Sequence, residues 1–392
     1  MRGIFQAACA LVLCGIGLTS HAPPATAAPL HAAPDWLAGW SMNGHDPQRT
    51  NRSPATGPLQ PHLIFQRTGV YVRYIAPDGN LYGGISEGEG TQLQEAAFSP
   101  TGGIRWSHLA RVEGQFVGLG PTGTVFQIDN MQASGYSARG KRLWKTQTLG
   151  LLKGVSPLVT GANQLYAPIV GPHGYSTRIG INIVSGTGNL LQLFPGDWRS
   201  PAMSLAGVLY LFTQSSTELQ ARSPTGALLW QVDVGGTPAA LLDPLVGKDG
   251  TVYVGNGTHL VAVTPDGQTR WTANKADGVL ALAERADGSI LSAGTNTLDA
   301  FSPDGTLLWS VPIGQSSDQL ASYWPSLIVD AAGTAYVGSG DGIVRVISSE
   351  GKLVGQLPAG GHRSDFPPQV LLGADGRLIV NGSDDVLQVY GS

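Results

Sequence analysis

Cysteine is nearly absent from this chain. Its 392 residues include two, Cys9 and Cys14, both within the first eighteen positions. The rest of the chain therefore has no disulfide, no thiol nucleophile and no cysteine ligand for a metal. Charge is scarce as well: Asp, Glu, Lys and Arg make up 13% of the residues, and the net charge is −4 at pH 7. That composition excludes the basic face of a nucleic-acid binder, and it excludes an acidic tail. Long apolar runs are missing beyond Leu18, so no transmembrane span is expected in the mature chain. Metal-ligand spacing is missing too. His45, His62, His108, His173, His259 and His362 are scattered, and none forms a His-x-x-x-His or His-Glu pattern. No Gly-x-Ser-x-Gly elbow sits on a strand-to-helix turn.

The N-terminus has the layout of an export signal. Arg2 is the only charge before Asp35, and an apolar stretch runs from Ile4 to Leu18, too short to span a bilayer comfortably. Ala25-Thr26-Ala27 supplies small residues for cleavage after Ala27, so residues 1–27 are expected to be a signal peptide and the mature chain periplasmic or secreted. Pro23, Pro24 and Pro29 argue against a buried first strand. Cys14-Gly15 offers a second reading, a lipid-anchored form. Leu13 stands against it, because a small residue is expected there, and Ile16 to Leu18 continue the apolar run. Residues 28–60 are rich in Ala and Pro, then polar, and read as a linker and N-terminal arm. Trp36 and Trp40 place part of that arm against the body, since free linkers seldom carry two Trp.

What the chain has in excess is glycine, 55 residues, about twice the usual share. The glycines punctuate a repeat. Its clearest copy runs from Asp249 to Trp271: an apolar run Val252 to Val254, the turn Asn256-Gly257, a second run Leu260 to Val263, the turn Pro265-Asp266-Gly267, and Trp271 on the strand that follows. Indexed on its first turn residue, the repeat recurs at Gly79, Gly123, Asn163, Gly207, Gly250, Gly288, Gly333 and Gly376, at intervals of 44, 40, 44, 43, 38, 45 and 43 residues. Three positions later stand Tyr82, Phe126, Tyr166, Tyr210, Tyr253, Leu291, Tyr336 and Ile379, a site expected to be buried in every unit. The period matches a four-stranded propeller blade, so residues 61–392 are expected to form an all-β, eight-bladed propeller of antiparallel blades. The Trp before each unit ends (Trp106, Trp144, Trp230, Trp271, Trp309) is expected to be buried between blades; the third and seventh units lack it. The eighth unit stops after its third strand, Leu387 to Tyr390. Leu63-Ile64-Phe65 follows Gly57 and Pro61 much as the Trp strands follow their glycine turns. Residues about 62–67 are therefore expected to supply the missing outer strand and to close the ring by pairing the two chain ends.

The unit Asp-Gly-x-x-Tyr-Val-Gly, then an apolar strand, Pro-Asp-Gly and Trp, resembles the repeat of the quinoprotein-type, or PQQ-like, β-propellers. The segment Trp40-x-Met42-x-Gly44-His45-Asp46-Pro47-Gln48-Arg49-Thr50-x-Arg52-Ser53 is similar to the lead-in of many bacterial members. The resemblance covers residues 40–392 and implies one of two roles. Quinoprotein dehydrogenases bind PQQ and a calcium ion over the propeller axis, and many carry an adjacent cysteine pair; this chain lacks that pair and is much shorter. Other members, such as the propeller lipoprotein of the outer-membrane assembly machinery, have no cofactor and act as scaffolds.

No convergent acid, base or metal group is legible, so no catalytic, cofactor-binding or metal residue is assigned and no cofactor is expected. The expected function is a non-catalytic scaffold or protein-binding module of the bacterial envelope, acting as a monomer. Two alternatives stay open: a small quinoprotein-like oxidoreductase, and a propeller binding carbohydrate, cell wall or another small ligand, which exposed Trp and Tyr would suit. The loops that lead into inner strands should cluster at one mouth of the channel. Arg73, Tyr74, Trp198, Arg199, Tyr323, Trp324, His362 and Arg363 fall there, and these residue types are enriched at interfaces.

Overall fold

Each repeat opens on a turn that needs left-handed backbone. Gly79, Gly123, Gly207, Gly250, Gly288, Gly333 and Gly376 have φ between +77° and +88°, and the exception, Asn163, has φ +56°. Asn tolerates this region better than most residues, so the spacing of the repeat is a spacing of backbone geometry. The computed structural model describes residues 35–86, 94–109, 115–129, 132–147, 156–170, 178–213, 215–237, 242–314, 326–359, 367–382 and 385–392. The expected signal peptide, residues 1–27, lies outside the described residues.

The strands assemble into eight four-stranded antiparallel sheets, an eight-bladed β-propeller. Blade 1 consists of β2 (Val70–Ile75), β3 (Leu81–Ile85), β4 (Gln94–Phe98) and β5 (Ile104–Leu109) in that order from the axis outward. Blades 2 to 7 repeat this order. Blade 8 has three strands from the C-terminus, β30 (Gln369–Leu372), β31 (Leu378–Asn381) and β32 (Val386–Gly391), and takes its outer strand from the N-terminus, β1 (His62–Thr68). Leu63 pairs with Tyr390 and Phe65 with Val389. The ring is closed by its two chain ends, as the truncated eighth repeat implied. Among the described residues the only helical piece is a 3-10 turn, Asp35–Leu37.

The core lies between blades. The residues three positions after each turn anchor, from Tyr82 to Ile379, are all buried. Tyr82, for example, meets Phe116 of the next blade edge-on, with ring centroids 6.3 Å apart. The outer strands join neighbouring blades by a second device. In all eight, a β-bulge falls one residue before a fixed position, and in every blade but the seventh, where that position is Gly355, it turns a side chain toward the next blade. Five of these positions are Trp, and each indole nitrogen donates to a carbonyl in the next blade's outer turn: Trp106 to Ala138, Trp144 to Gly186, Trp230 to Pro265, Trp271 to Pro303 and Trp309 to Ser349, over 2.6–3.1 Å. Each ring lies on a turn glycine. A methyl group on Gly305 would stand 2.7 Å from the Trp271 ring, and on Gly351 2.7 Å from that of Trp309.

The blades without Trp explain themselves. In blade 8 the position is Phe65, packed on Gly102. In blade 3 it is Gln192, whose amide donates to Thr225 O at 3.5 Å, while Phe194 covers Gly226. In blade 7 it is Gly355, which backs onto the carbonyl of Leu59 in the N-terminal arm. The five Trp are half-buried and not enclosed as expected, because an outer strand keeps one face in solvent.

The arm is part of the ring. Trp40 exchanges two backbone bonds with Ile75, the last residue of β2. Then the carbonyls of Ser41, Pro47, Gln48 and Thr50 accept from Leu119, Met203, Val246 and Glu284, and Asn51 and Ser53 pair with Val329. Those partners end the inner strands β6 (Gln115–Leu119), β14 (Ala202–Met203), β18 (Leu245–Val246), β22 (Ala281–Glu284) and β26 (Ser326–Val329). The arm thus crosses the end of the channel that carries the first turns, and satisfies strand ends that would otherwise face an open channel. Its own fold is tight. Non-glycine residues His45, Arg49 and Asn51 all have positive φ, at 74°, 59° and 51°. The Asp46 carboxylate accepts from Thr50 N at 3.1 Å and from the Thr50 hydroxyl, beside His45. Burial would raise the Asp46 carboxyl, but His45 and Thr50 outweigh it and hold it below the usual value.

Trp309→Ala is expected to cost about 2–3 kcal/mol and Trp309→Phe about 1 kcal/mol, since Phe keeps a ring on Gly351 and loses the hydrogen bond to Ser349. Denaturant titration measures both, and equal losses would show that the ring contact contributes nothing to the seam. Deleting residues 28–67 removes the arm and β1 and leaves β32 as an open edge. The truncated chain is expected to aggregate in size-exclusion runs; a monomer with unchanged melting would show that closure is dispensable.

Candidate functional site at the loop end of the channel

The two ends of the ring are built differently. At the arm's end the turns are short and glycine-based. At the other end the outer strands finish and the next inner strands begin, with 313–325 and 359–368 between two such pairs in the sequence. Tyr323, Trp324, His362 and Arg363 belong to those two connections and lie outside the described residues. The other four expected mouth residues are described, and their settings differ from a free loop.

Arg73 and Tyr74 are not on a loop: both lie within β2, where a bulge between Val72 and Tyr74 re-aims Arg73. The loop reading placed the strand start too late, because Val70-Tyr71-Val72 already pairs with Gly83 to Ile85. Tyr74 is buried, and burial pushes its phenol up to about 12. Trp198 is only 4% exposed. Its indole donates to Pro195 O at 2.9 Å and the Arg222 guanidinium lies 4.9 Å from its ring centroid, so it anchors its own loop. Arg199 is half-buried beside it, with its backbone N–H on Phe212 O at 2.8 Å.

Sequence reasoning missed two groups. The first is Arg49 of the arm, whose side chain crosses to the leading ends of two inner strands. Its Nε donates to Pro201 O at 2.7 Å and its Nη2 to Ser156 O at 2.9 Å, with Asn43 O at 3.4 Å. Burial lowers this guanidinium, and the charges of Asp243 and Asp46 offset part of that. Three backbone carbonyls around one cation tie blades 3 and 4 to the arm.

The second is a polar row across blade 1. Tyr71 on β2, Gly84 on β3, Glu95 on β4 and His108 on β5 are direct cross-strand partners. Glu95 is 0% exposed. Its Oε2 accepts from Phe116 N at 3.3 Å, and burial, partly opposed by Arg73 and that bond, pushes the carboxyl up to about 8. The Arg73 guanidinium lies over the Tyr71 ring, 4.9 Å from its centroid. A signal for this row was present: the positions equivalent to Glu95 in the other blades are Ala133, Ile181, Leu219, Leu260, Leu298, Val344 and Leu387.

Quinone and calcium, the groups that the repeat implies for dehydrogenase members, need a cluster of anionic ligands near the axis. Among the described residues no three His, Cys, Asp or Glu side chains stand together to hold a metal. The carboxylates nearest the axial Arg49 compensate its charge. Among the described residues no helix is long and apolar enough to cross a membrane.

Residues 215–391 match the family described as outer membrane protein assembly factor BamB. Solved structures similar to the chain include BamB from Moraxella catarrhalis, 16% identical over 85% of this chain and 98% of that one, with a TM-score of 0.58. Quinohemoprotein alcohol dehydrogenase from Comamonas testosteroni is 13% identical over 91% of this chain and 81% of that one, with a TM-score of 0.65. The quinohemoprotein alcohol dehydrogenase ADHIIG from Pseudomonas putida HK5 gives 12%, 92%, 81% and 0.64. At these identities the likeness is one of fold. A search of curated proteins finds no match. Eight four-stranded blades, the repeated turn and Trp positions, and a family match over residues 215–391 together liken this chain to the PQQ-like β-propellers.

Proposed function

We propose that this chain is an exported, non-catalytic scaffold of the bacterial envelope that binds a protein segment at the loop end of its channel. The observation that carries the reading is the asymmetry of the ring. Backbone bonds from the arm to β2, β6, β14, β18, β22 and β26 close one end, and the longer connections stand at the other. Strands are committed to blade packing, so recognition falls to those connections. Arg199 stands half-buried between the outer strand of blade 3 and the inner strand of blade 4, while Tyr323, Trp324, His362 and Arg363 lie outside the described residues and enter the proposal by sequence alone. Large rings and guanidinium groups on neighbouring loops desolvate well against a partner. Trp198 is not counted among the anchors, because its own contacts enclose it. The name of the matched family, an assembly factor, is compatible with a scaffold. An export signal in residues 1–27 completes the proposal.

The test compares the wild-type chain with a variant carrying Arg199→Ala, Trp324→Ala and Arg363→Ala together, after confirming equal melting. Pull-down from envelope extracts is expected to lose its specific partners in the variant, at least tenfold by band intensity if the anchors contribute the usual 1–2 kcal/mol or more. Partners retained at full affinity would move the surface elsewhere. Saturable binding of PQQ with calcium in calorimetry would instead favour the oxidoreductase.

A further inference from the structure

The rim of the arm's end carries exposed apolar side chains. Strands alternate in direction, so the first turn and the outer turn of a blade both lie at that end, and the outer strand sets out from it. A methyl group on Gly207, in the first turn of blade 4, would stand 3.2 Å from Pro224 in the outer turn. Leu143 of β9 (Arg142–Lys145), Leu190 and Leu191 of β13 (Leu190–Pro195), and Leu228 and Leu229 of β17 (Leu228–Asp233) lie at the start of the outer strands of blades 2, 3 and 4, and each is about half exposed. Leu205, in the first turn of blade 4, is 85% exposed. One exposed leucine is ordinary. These are joined into a band. The Trp144 indole, next to Leu143, donates to Gly186 O in the turn that leads to Leu190, at 2.6 Å. The Gln192 amide, next to Leu191, donates to Thr225 O in the turn that leads to Leu228, at 3.5 Å.

Charge sets this side of the rim apart. The turns of blades 2, 3 and 4 at the arm's end, residues 121–124, 138–141, 161–163, 186–189, 205–207 and 224–227, contain no carboxylate. Arg139 and Lys141 stand exposed in one of them, and the exposed Arg142 follows. Each of the other five blades has an exposed acid in a turn at this end: Asp78 in blade 1, Asp266 in blade 5, Asp304 in blade 6, Glu350 in blade 7 and Asp375 in blade 8. Blades 6 and 7 repeat the exposed leucines, as Leu307, Leu308 and Leu353, but place them beside Asp304 and Glu350. The chain also enters the ring on the acid-free side. A methyl group on Gly161, in the first turn of blade 3, would stand 3.9 Å from the Trp36 indole nitrogen. The 34 residues before Asp35, with the apolar stretch Ile4 to Leu18, are joined to the ring there. The arm adds one exposed acid at its head, Asp35.

We propose that the arm-end face of blades 2 to 4 rests on a bilayer surface that contains anionic lipid, with Leu205 and the paired leucines in the boundary between headgroups and acyl chains and Arg139, Lys141 and Arg142 against lipid phosphates. A bilayer offers the two chemistries that this face lacks: negative charge at its surface and apolar depth just beneath. A second copy of the chain fits less well, because a two-fold contact through this face would set the basic turns of both rings together with no acid in the facing turns to answer them. The contact is one-sided, since the acids of blades 5 to 8 are repelled by anionic headgroups. The segment before Asp35 leaves the ring on the side that touches lipid. The face is opposite the loop end and stands whether or not that end binds a protein.

The test is co-sedimentation with vesicles of phosphatidylcholine containing phosphatidylglycerol, and with vesicles of phosphatidylcholine alone. It uses the chain from residue 28, which holds the whole compact unit 33–392 and omits the apolar stretch that would insert by itself. Saturable binding to the anionic vesicles is expected, stronger than to the neutral ones and falling as salt rises. Leu205→Asp and, separately, Arg139→Glu with Lys141→Glu are each expected to weaken it about tenfold or more. All three side chains are exposed, so melting should not change. Leu308→Asp on blade 6 is expected to leave binding as it was. The chain from residue 28 has no cysteine, so a polarity-sensitive dye can be attached through Leu205→Cys or Leu308→Cys. Only the dye at position 205 is expected to shift to the blue with anionic vesicles, and this reading decides the matter if a charged variant melts lower. No binding to anionic vesicles, equal losses in Leu205→Asp and Leu308→Asp, or equal shifts at the two dyes overturns the proposal. Self-association without lipid that Leu205→Asp abolishes would give the face to a second copy and overturn it as well.

Discussion

The pairing of β1 with β32 is the contact on which the rest of the molecule depends. Eight twisted sheets arranged around an axis gain most of their burial from neighbours on both sides, so an open ring leaves two blades half-packed and one sheet edge bare. Here the last three strands wait for a fourth from the other end of the chain. Once His62–Thr68 has paired, Phe65 lies on Gly102 and the seam between blades 8 and 1 resembles the others. The closure also fixes the arm, because the residues just before β1 must cross the ring to reach it. Their backbone groups meet the last residues of six inner strands on the way. Closure, channel blocking and satisfaction of strand ends are consequences of one chain path.

Between blades, the same problem is solved eight times with different residues. In seven of the eight blades a bulge turns one side chain of the outer strand toward the next blade, and a left-handed glycine in the next turn leaves room for it or for its neighbour. Trp suits this site because its ring covers the glycine while its N–H reaches a turn carbonyl. Where Trp is missing, the two tasks are divided, as by Gln192 and Phe194, or taken over by the arm, as at Gly355. The bulges have a second effect: they break the regularity of every exposed edge, and a broken edge is a poor template for pairing with another chain.

A ring so strongly determined by packing says little about chemistry. The similar solved structures include an assembly factor and dehydrogenases, all at low identity. What separates one member from another must lie in positions where the repeat is broken. In this chain these are the arm, with Arg49 held by three carbonyls, and blade 1, where Glu95 stands at a position that is apolar in the other seven blades. Both carry buried charge, which the fold itself does not require.

Much of the fold was legible in the sequence because its determinants are local. Left-handed turns demand Gly or Asn, and alternation within short runs decides which side chains face a neighbouring blade; these recur at a readable period. The shortened eighth unit even announced the closing strand, since an absent fourth strand and a spare Leu63-Ile64-Phe65 admit one solution. What the sequence could not determine is which residues of different blades share a place. That Arg49 would reach Pro201 and Ser156 depends on the path of an irregular arm. That Trp198 would be enclosed depends on Pro195 and Arg222 meeting it from two sides. Arg73 looked like a loop residue until pairing with β3 absorbed it into β2. Glu95 stood in plain view as a charge in an apolar strand. Only the tertiary structure placed Tyr71 and Arg73 beside it, because contacts between strands and blades are set by ring geometry and not by distance along the chain.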